Sequence, residues 1–310
     1  MQETLKRIIS GFSIAGVVIL LLNHIHFFYG IPILITILIL SFFGLREYYI
    51  LTDKKIQGKP IPFLGFFFGF LFILSYYLEY LYQSKEVFSF SGALIQFLEA
   101  YQKIKNPVIP ILIFFVMITK SYSMMFRPIE GNTYNSMATV MGVLYVSLPL
   151  AIILPMLVLK QGSFIFVFSA LGAIMTDVGG YFGGRWFGKH NAGLKVSPKK
   201  TWEGYISGII FANIVNFIFL YFWIYFHPNL TNEDFTILPS YLECIVLTLV
   251  FSLVSIFGDL VESALKRDAK IKDSSSLIPG HGGFLDLADA MLFSFPLGYF
   301  YFYIKIQFLL

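Results

Sequence analysis

Long apolar runs alternate with short polar connections along the whole chain. The runs fall at about 8–22, 28–45, 61–82, 107–126, 135–158, 163–184, 204–226, 243–262 and 288–308. A bilayer core about 30 Å thick needs about 20 mostly apolar residues of helix to cross it. Inside lipid every backbone N–H and C=O must be paired within the protein, which leaves helices as the economical solution for runs of this length. The pattern predicts an all-α integral membrane protein with about nine transmembrane helices. The first run follows Lys6 and Arg7, as in a signal peptide. No small-residue cleavage pattern follows it and a second apolar run comes at once, so it reads as a retained span. The fourth run is interrupted by Lys120. The connection at 83–106 mixes Phe, Leu and charge and reads as surface packing, with an interfacial helix as the alternative.

Composition agrees with this pattern. Of 310 residues, 57% are hydrophobic and 13% charged, against roughly 45–50% and 25% in soluble domains. That excludes an ordinary soluble protein, and it excludes disorder, which needs low hydrophobicity and high charge. The 36 Phe suit a lipid-facing surface and many of the 19 Tyr suit the interfacial belts. A net charge of +4 is too small to imply a nucleic-acid partner. The single cysteine, Cys244, allows no internal disulfide and no cysteine zinc cluster.

The placement of charge sets an orientation. With the N-terminus in the cytoplasm, the inner segments hold Lys6, Arg7, Arg46, Lys54, Lys55, Lys59, Lys120, Arg127, Arg185, Lys189, Lys195, Lys199, Lys200, Lys266, Arg267, Lys270 and Lys272. The outer side holds Lys85, Lys103, Lys105, Lys160 and Lys305. This asymmetry predicts a cytoplasmic N-terminus and an extracytoplasmic C-terminus.

Charged groups within or beside spans are expensive and mark functional candidates. Asp177 lies late in the sixth run, followed by Gly180, Gly184 and Gly188 at four-residue spacing, which suits close helix packing, and then Arg185. For Asp177 itself, a functional carboxylate and a neutral acid bonded to a neighbouring helix are both open. Next comes Ser197-Pro198-Lys199-Lys200-Thr201-Trp202-Glu203-Gly204. Ser197-Pro198 predicts a cap and first residue of the seventh span. Lys199 and Lys200 then suit a polyphosphate beside a helix N-terminus, or equally a basic anchor at the headgroups. In the eighth run, Asp259, Glu262, Ser263, Lys266 and Lys270 share one helical face, with Arg267 beside them. A loop holding Lys272, Asp273, His281, Gly282 and Gly283 leads to Asp286 and Asp289, three residues apart on the last span. Glycines allow backbone to approach a ligand closely, and paired carboxylates suit a hard cation such as Mg²⁺. The alternation of spans puts all four clusters on one membrane face. Carboxylates, cations and a glycine loop together point to metal-assisted phosphoryl or nucleotidyl transfer.

These residues resemble a known family. Ser263-Ala264-Leu265-Lys266-Arg267, Lys272-Asp273 and Pro279-Gly280-His281-Gly282-Gly283-Phe284-Leu285-Asp286 with Asp289 are similar to the signature of phosphatidate cytidylyltransferases, also called CDP-diacylglycerol synthases. Asp177 with its glycines and the 196–204 block resemble two further parts of that signature. The resemblance covers about 172–289, and the first four spans share only hydropathy with the family. It implies a membrane enzyme that joins CTP to phosphatidate, releases pyrophosphate and uses Mg²⁺, with K⁺ in some members. On it, Asp259, Asp286 and Asp289 are expected to hold metal and to act catalytically with Lys266 and Arg267. Asp177, Arg185, Ser197, Lys199, Lys200, Lys272, Asp273, His281, Gly282 and Gly283 are the expected contacts to CTP and phosphate. The family carries Arg where this chain has Leu287. Arg185, Arg267 or Lys266 would have to replace it, or activity would be low.

The expected organisation is an N-terminal set of spans over 1–134 and a catalytic set over 135–310. The expected setting is the bacterial cytoplasmic (inner) membrane, with the active site facing the cytoplasm and a homodimer as one open oligomeric arrangement. The competing functions are CTP-dependent transfer to an isoprenoid lipid and an ion-coupled transporter using Asp177, Asp259 and Asp286. The acids gather at one face instead of spreading across the midplane, which speaks against the transporter.

Overall fold

The computed structural model describes residues 2–53, 58–104, 106–278 and 282–309. Lys54, Lys55, Lys105, Pro279, Gly280 and His281 therefore lie outside the described residues. The fold is all-α. The bridges Asn191↔Thr201 and Ile278↔Gly282 are isolated pairs and belong to no sheet. Among the described residues, eight helices are long and apolar enough to cross a membrane, and a shorter apolar stretch, Ser10–Asn23, precedes them. Large apolar side chains such as Phe12, Ile113, Phe114, Phe222 and Phe308 are exposed, while Ser, Thr and Asn side chains are buried. That inversion is what lipid as the surrounding solvent demands. The chain is an integral membrane protein.

The chain divides into two compact units, residues 1–158 with 268–287, and residues 159–267 with 288–310. The first contains α1 (Gln2–Asn23), α2 (Ile31–Leu51), α3 (Pro62–Gln83), α4 (Gly92–Gln102) and α5 (Val108–Phe126). A broken span follows: α6 (Asn132–Gly142), a π turn at Val143–Ser147, α7 (Leu148–Ala151) and α8 (Ile153–Val158). Pro149 and Pro155 remove donors from this span, which reads as a single run in the sequence. Close packing centres on α2. Tyr49 donates to the Thr139 carbonyl at 2.9 Å, and a Cβ on Gly142 would meet the Tyr49 ring at 2.6 Å. Ser41 and Ser147 pair at 2.8 Å. Lys120, the charge inside α5, donates to Asn132 Oδ1 at 2.9 Å, which is how a cation is tolerated there. The 83–106 connection contains the helix α4, capped by Ser91 and buried at Leu98, so its residues are more ordered than the surface packing expected.

The second unit holds α9 (Gly162–Phe187), α10 (Trp202–Phe226), α11 (Asn232–Ile237), most of α12 (Tyr241–Asp268) and most of α13 (Phe284–Leu309). α9 and α10 run against each other through glycines. A Cβ on Gly208 would lie 2.5 Å from the Thr176 carbonyl oxygen and 3.2 Å from Gly180 N. The four-residue glycine spacing therefore serves packing. Polar side chains join the helices inside the apolar core: Asn216 donates to Thr248 Oγ1 at 3.0 Å and Thr176 to Ser252 Oγ at 2.8 Å. Phe164, Phe168, Phe251 and Phe302 fill the space around them.

Candidate active site

In the second unit the candidate residues gather around Lys200. Its Nζ donates to Asp259 Oδ2 at 2.5 Å, linking the loop before α10 to the eighth span. Burial would lower the ammonium pKa, but the Asp259 carboxylate outweighs it, with Asp177 and Tyr205 adding to the effect. The Lys200 pKa is therefore raised above its ordinary value. Asp177, Asp259 and Glu262 all lie close enough to Asp289 to act on its charge. Asp289 is buried, with Oδ1 accepting from Ala290 N at 2.6 Å. α12 meets α13 here because Gly258 lacks a side chain: a Cβ would sit 2.6 Å from the Asp289 carbonyl. Lys266 pairs with the fully buried Glu262 one turn away.

The loop before α10 differs from expectation. Ser197-Pro198 does not open the seventh span. The cap is Thr201, whose hydroxyl accepts from Gly204 N at 3.2 Å, and the helix starts at Trp202. Residues 197–200 instead form a turn, with Lys200 N donating to the Ser197 carbonyl at 3.2 Å. Glu203 holds the preceding strand of loop by accepting from Lys189 N at 3.1 Å and from the His190 backbone and ring. The turn carries Lys200 toward Asp259 and leaves Lys199 exposed. Lys270 is also misplaced by periodicity: α12 ends at Asp268 and Lys270 has φ 60°, so it does not continue the face of Asp259 and Glu262. Arg185, Arg267, Lys272 and Asp273 are exposed. Leu287 is half-buried.

In the first unit the 274–286 loop is built around two carboxylates. Asp286 Oδ2 accepts from Ser274 N at 2.8 Å, Ser274 Oγ at 2.7 Å and Gly283 N at 2.8 Å. Gly283 precedes α13, so Asp286 closes the helix start as the third-position acid of a capping box does. Gly282 has φ +90° and pairs with Ile278 through bonds of 2.8 and 3.2 Å. The second carboxylate is Glu47 of α2, only 1% exposed. It accepts from Ser274 Oγ at 3.0 Å, Ser275 Oγ at 2.6 Å, Phe284 N at 3.0 Å and Leu285 N at 2.9 Å. A Cβ on Gly283 would lie 2.6 Å from Glu47 Oε2, so the Gly283 space is filled by protein. Glu47 was missed in the sequence. Its signal was an acid just past the expected end of the second run at residue 45, next to Arg46, which counted only toward the inner charge; the helix in fact continues to Leu51.

Among the described residues, no three acidic, His or Cys side chains converge closely enough to enclose an ion. The donor set is all oxygen. Asp177, Asp259, Glu262 and Asp289 supply four carboxylates against Lys200 and Lys266, and oxygen ligands with surplus negative charge suit Mg²⁺.

The match to known proteins runs over residues 5–305, almost the whole chain, and is to the cytidylyltransferase family. The chain belongs to that family. It is 39% identical over 145 residues to a phosphatidate cytidylyltransferase of Haemophilus influenzae, covering 46% of this chain and 48% of that protein. Against the protein of the same name from Bacillus subtilis, identity is 40% over 144 residues, covering 46% and 49%. Against that of Staphylococcus aureus strain COL it is 38% over 138 residues, covering 44% and 48%. The chain spans about half the length of the curated relatives it matches.

Proposed function

We propose that this protein transfers the cytidylyl group of CTP to phosphatidate. The observation that carries the reading is a cytidylyltransferase match spanning 5–305, which includes both the Lys200–Asp259 pair and the Glu47–Ser274–Asp286 loop. A phosphatidate phosphate oxygen attacks the α-phosphorus of CTP. The bond from that phosphorus to the bridging oxygen breaks, and pyrophosphate leaves with the electron pair. The attacking monoester is already anionic near neutral pH, so no side chain has to remove a proton.

Lys200 is the first candidate for the triphosphate, because its ammonium remains charged and moves from Asp259 to a phosphate oxygen over a short distance. Lys199, exposed beside it, and Arg267 extend the cationic surface. Lys266 is already committed to Glu262 and acts by fixing charge. Asp259 and Asp289 would hold a divalent cation, and such an ion would neutralise the CTP phosphates. Lys/Arg asymmetry supports placing Lys199, Lys200 and the 269–283 connection on the cytoplasmic side. That side suits water-soluble CTP, while phosphatidate arrives from the lipid.

The test is purified protein in detergent or nanodiscs with CTP, Mg²⁺ and phosphatidate. Equal amounts of pyrophosphate and CDP-diacylglycerol are expected. Turnover of an isoprenoid lipid in place of phosphatidate, or no CTP-dependent product, would overturn the reading.

A further inference from the structure

We propose that Glu47 is a positioning residue: it clasps both ends of the 274–285 loop and, through Ser274, fixes Asp286. The proposal rests on the cytidylyltransferase reading for its consequence in turnover, and on geometry for the clasp itself. Each Glu47 oxygen takes one hydroxyl from the start of the loop and one amide from its end. Oε1 accepts from Ser275 Oγ at 2.6 Å and Phe284 N at 3.0 Å. Oε2 accepts from Ser274 Oγ at 3.0 Å and Leu285 N at 2.9 Å. Phe284 and Leu285 open α13, whose first amides have no partner within the helix. Gly283 ahead of them has no side chain to cap them. Asp286 is committed to Gly283 N and Ser274, so Glu47 supplies in space, across more than 230 residues of chain, the acceptor for the next two amides.

The Ser274 hydroxyl carries one proton and lies between the two acids, 3.0 Å from Glu47 Oε2 and 2.7 Å from Asp286 Oδ2, so they share it. Displacing Glu47 displaces Ser274, and with it the donor that orients Asp286. A carboxylate buried in a spanning helix is costly unless its hydrogen bonds are made. Here all four named donors are neutral groups of a single loop. The acid is thus matched to that loop.

Glu47→Gln tests the clasp. Its amide NH₂ would face donors at one of the two oxygen positions, releasing one pair of bonds. Amide hydrogen exchange over 274–285 should accelerate by about tenfold or more, with α9 and α10 unchanged. In the CTP assay kcat should fall by about tenfold or more while the phosphatidate KM stays within about twofold. Glu47→Asp should recover part of both effects. Gly283→Ala puts a Cβ 2.0 Å from Ser274 Oγ and 2.6 Å from Glu47 Oε2, forcing apart the Ser274–Glu47 contact without altering the carboxylate, so it should reproduce them, and the double variant Glu47→Gln/Gly283→Ala should be no worse than either alone. If Glu47→Gln fails to insert, Ser275→Ala removes one donor and gives a graded version of the same result. Unchanged exchange in the loop overturns the clasp. Faster exchange spread evenly over all helices assigns Glu47 to general stability, and a loosened loop with unchanged kcat removes the positioning role. If wild-type protein shows no CTP-dependent turnover, the functional reading fails, and the exchange data still decide the clasp.

Discussion

Lys200 and Asp259 are 59 residues apart in the chain and 2.5 Å apart in space. A lysine whose native pKa is raised contributes stability that is complete below its unfolded value, about 10.4, and is lost as pH climbs through the raised one. Lys200→Met should therefore lower the melting temperature in detergent by an amount that is constant from about pH 6 to about pH 9 and shrinks above about pH 10.5. In the CTP assay the same variant should lose about tenfold to a hundredfold in turnover, the range for one charge-assisted contact of about 1.5–3 kcal/mol. Steady-state kinetics with a melting curve at each pH checks both. A melting difference that widens with rising pH would contradict the pairing. Lys200 was legible in the sequence as a cation beside acids, but its choice of Asp259 was not. That choice depends on a turn at 197–200 that replaces the helix start Ser197-Pro198 suggested.

Between elements, the α9–α10 contact depends on missing side chains. Gly208→Ala puts a Cβ against the Thr176 carbonyl and Gly180 N, backbone atoms that can yield only if the helices part. The expected loss is about 1–3 kcal/mol, read as a lower melting temperature. Gly16→Ala in α1 meets nothing within 4 Å and should lose none. The short helix α11 is held by a capping box, with Thr231 and Asp234 each accepting from the other's backbone. Backbone and side-chain bonds from Thr231 hold the Asp234 carboxyl down to about 2. Thr231→Val should weaken the α11 end by about 1 kcal/mol. Because the native pKa is lowered, this contribution is full above about pH 4 and disappears as pH falls toward about 2. Exchange rates of the α11 amides across that range check the sign. The capping box at Thr231-Asn232-Glu233-Asp234 is a local device that the sequence carries, although a reading of the spans passes over it. The break inside 132–158 was less so, because an apolar run gives no sign of a π turn.

For the whole molecule, membrane sidedness decides which connections face the cytoplasm. In a Cys244→Ser background, Asn232→Cys should label only from outside and Ser276→Cys only from the cytoplasm, with a membrane-impermeant reagent. Both positions are exposed, and the buried native thiol would otherwise confuse the result. Labelling of both from one side would reverse or break the alternation of spans on which the orientation rests.

The sequence alone determined the membrane environment and the spans to within a few residues at most ends, and it singled out charged groups such as Lys200 and Asp259 while passing over Glu47. These follow from hydropathy and from the cost of charge in lipid, both of which are local sums along the chain. Tertiary structure decided the partners. Asp286 meets Ser274, and Lys200 meets Asp259. Glu47 was the largest surprise, because a carboxylate near the end of an apolar helix looks the same in sequence whether it borders the headgroups or caps another helix. Its role is set by four donors that fold back onto it from the far end of the chain. No local pattern encodes that, since hydrogen-bond partnership depends on distance in space and not on separation in sequence.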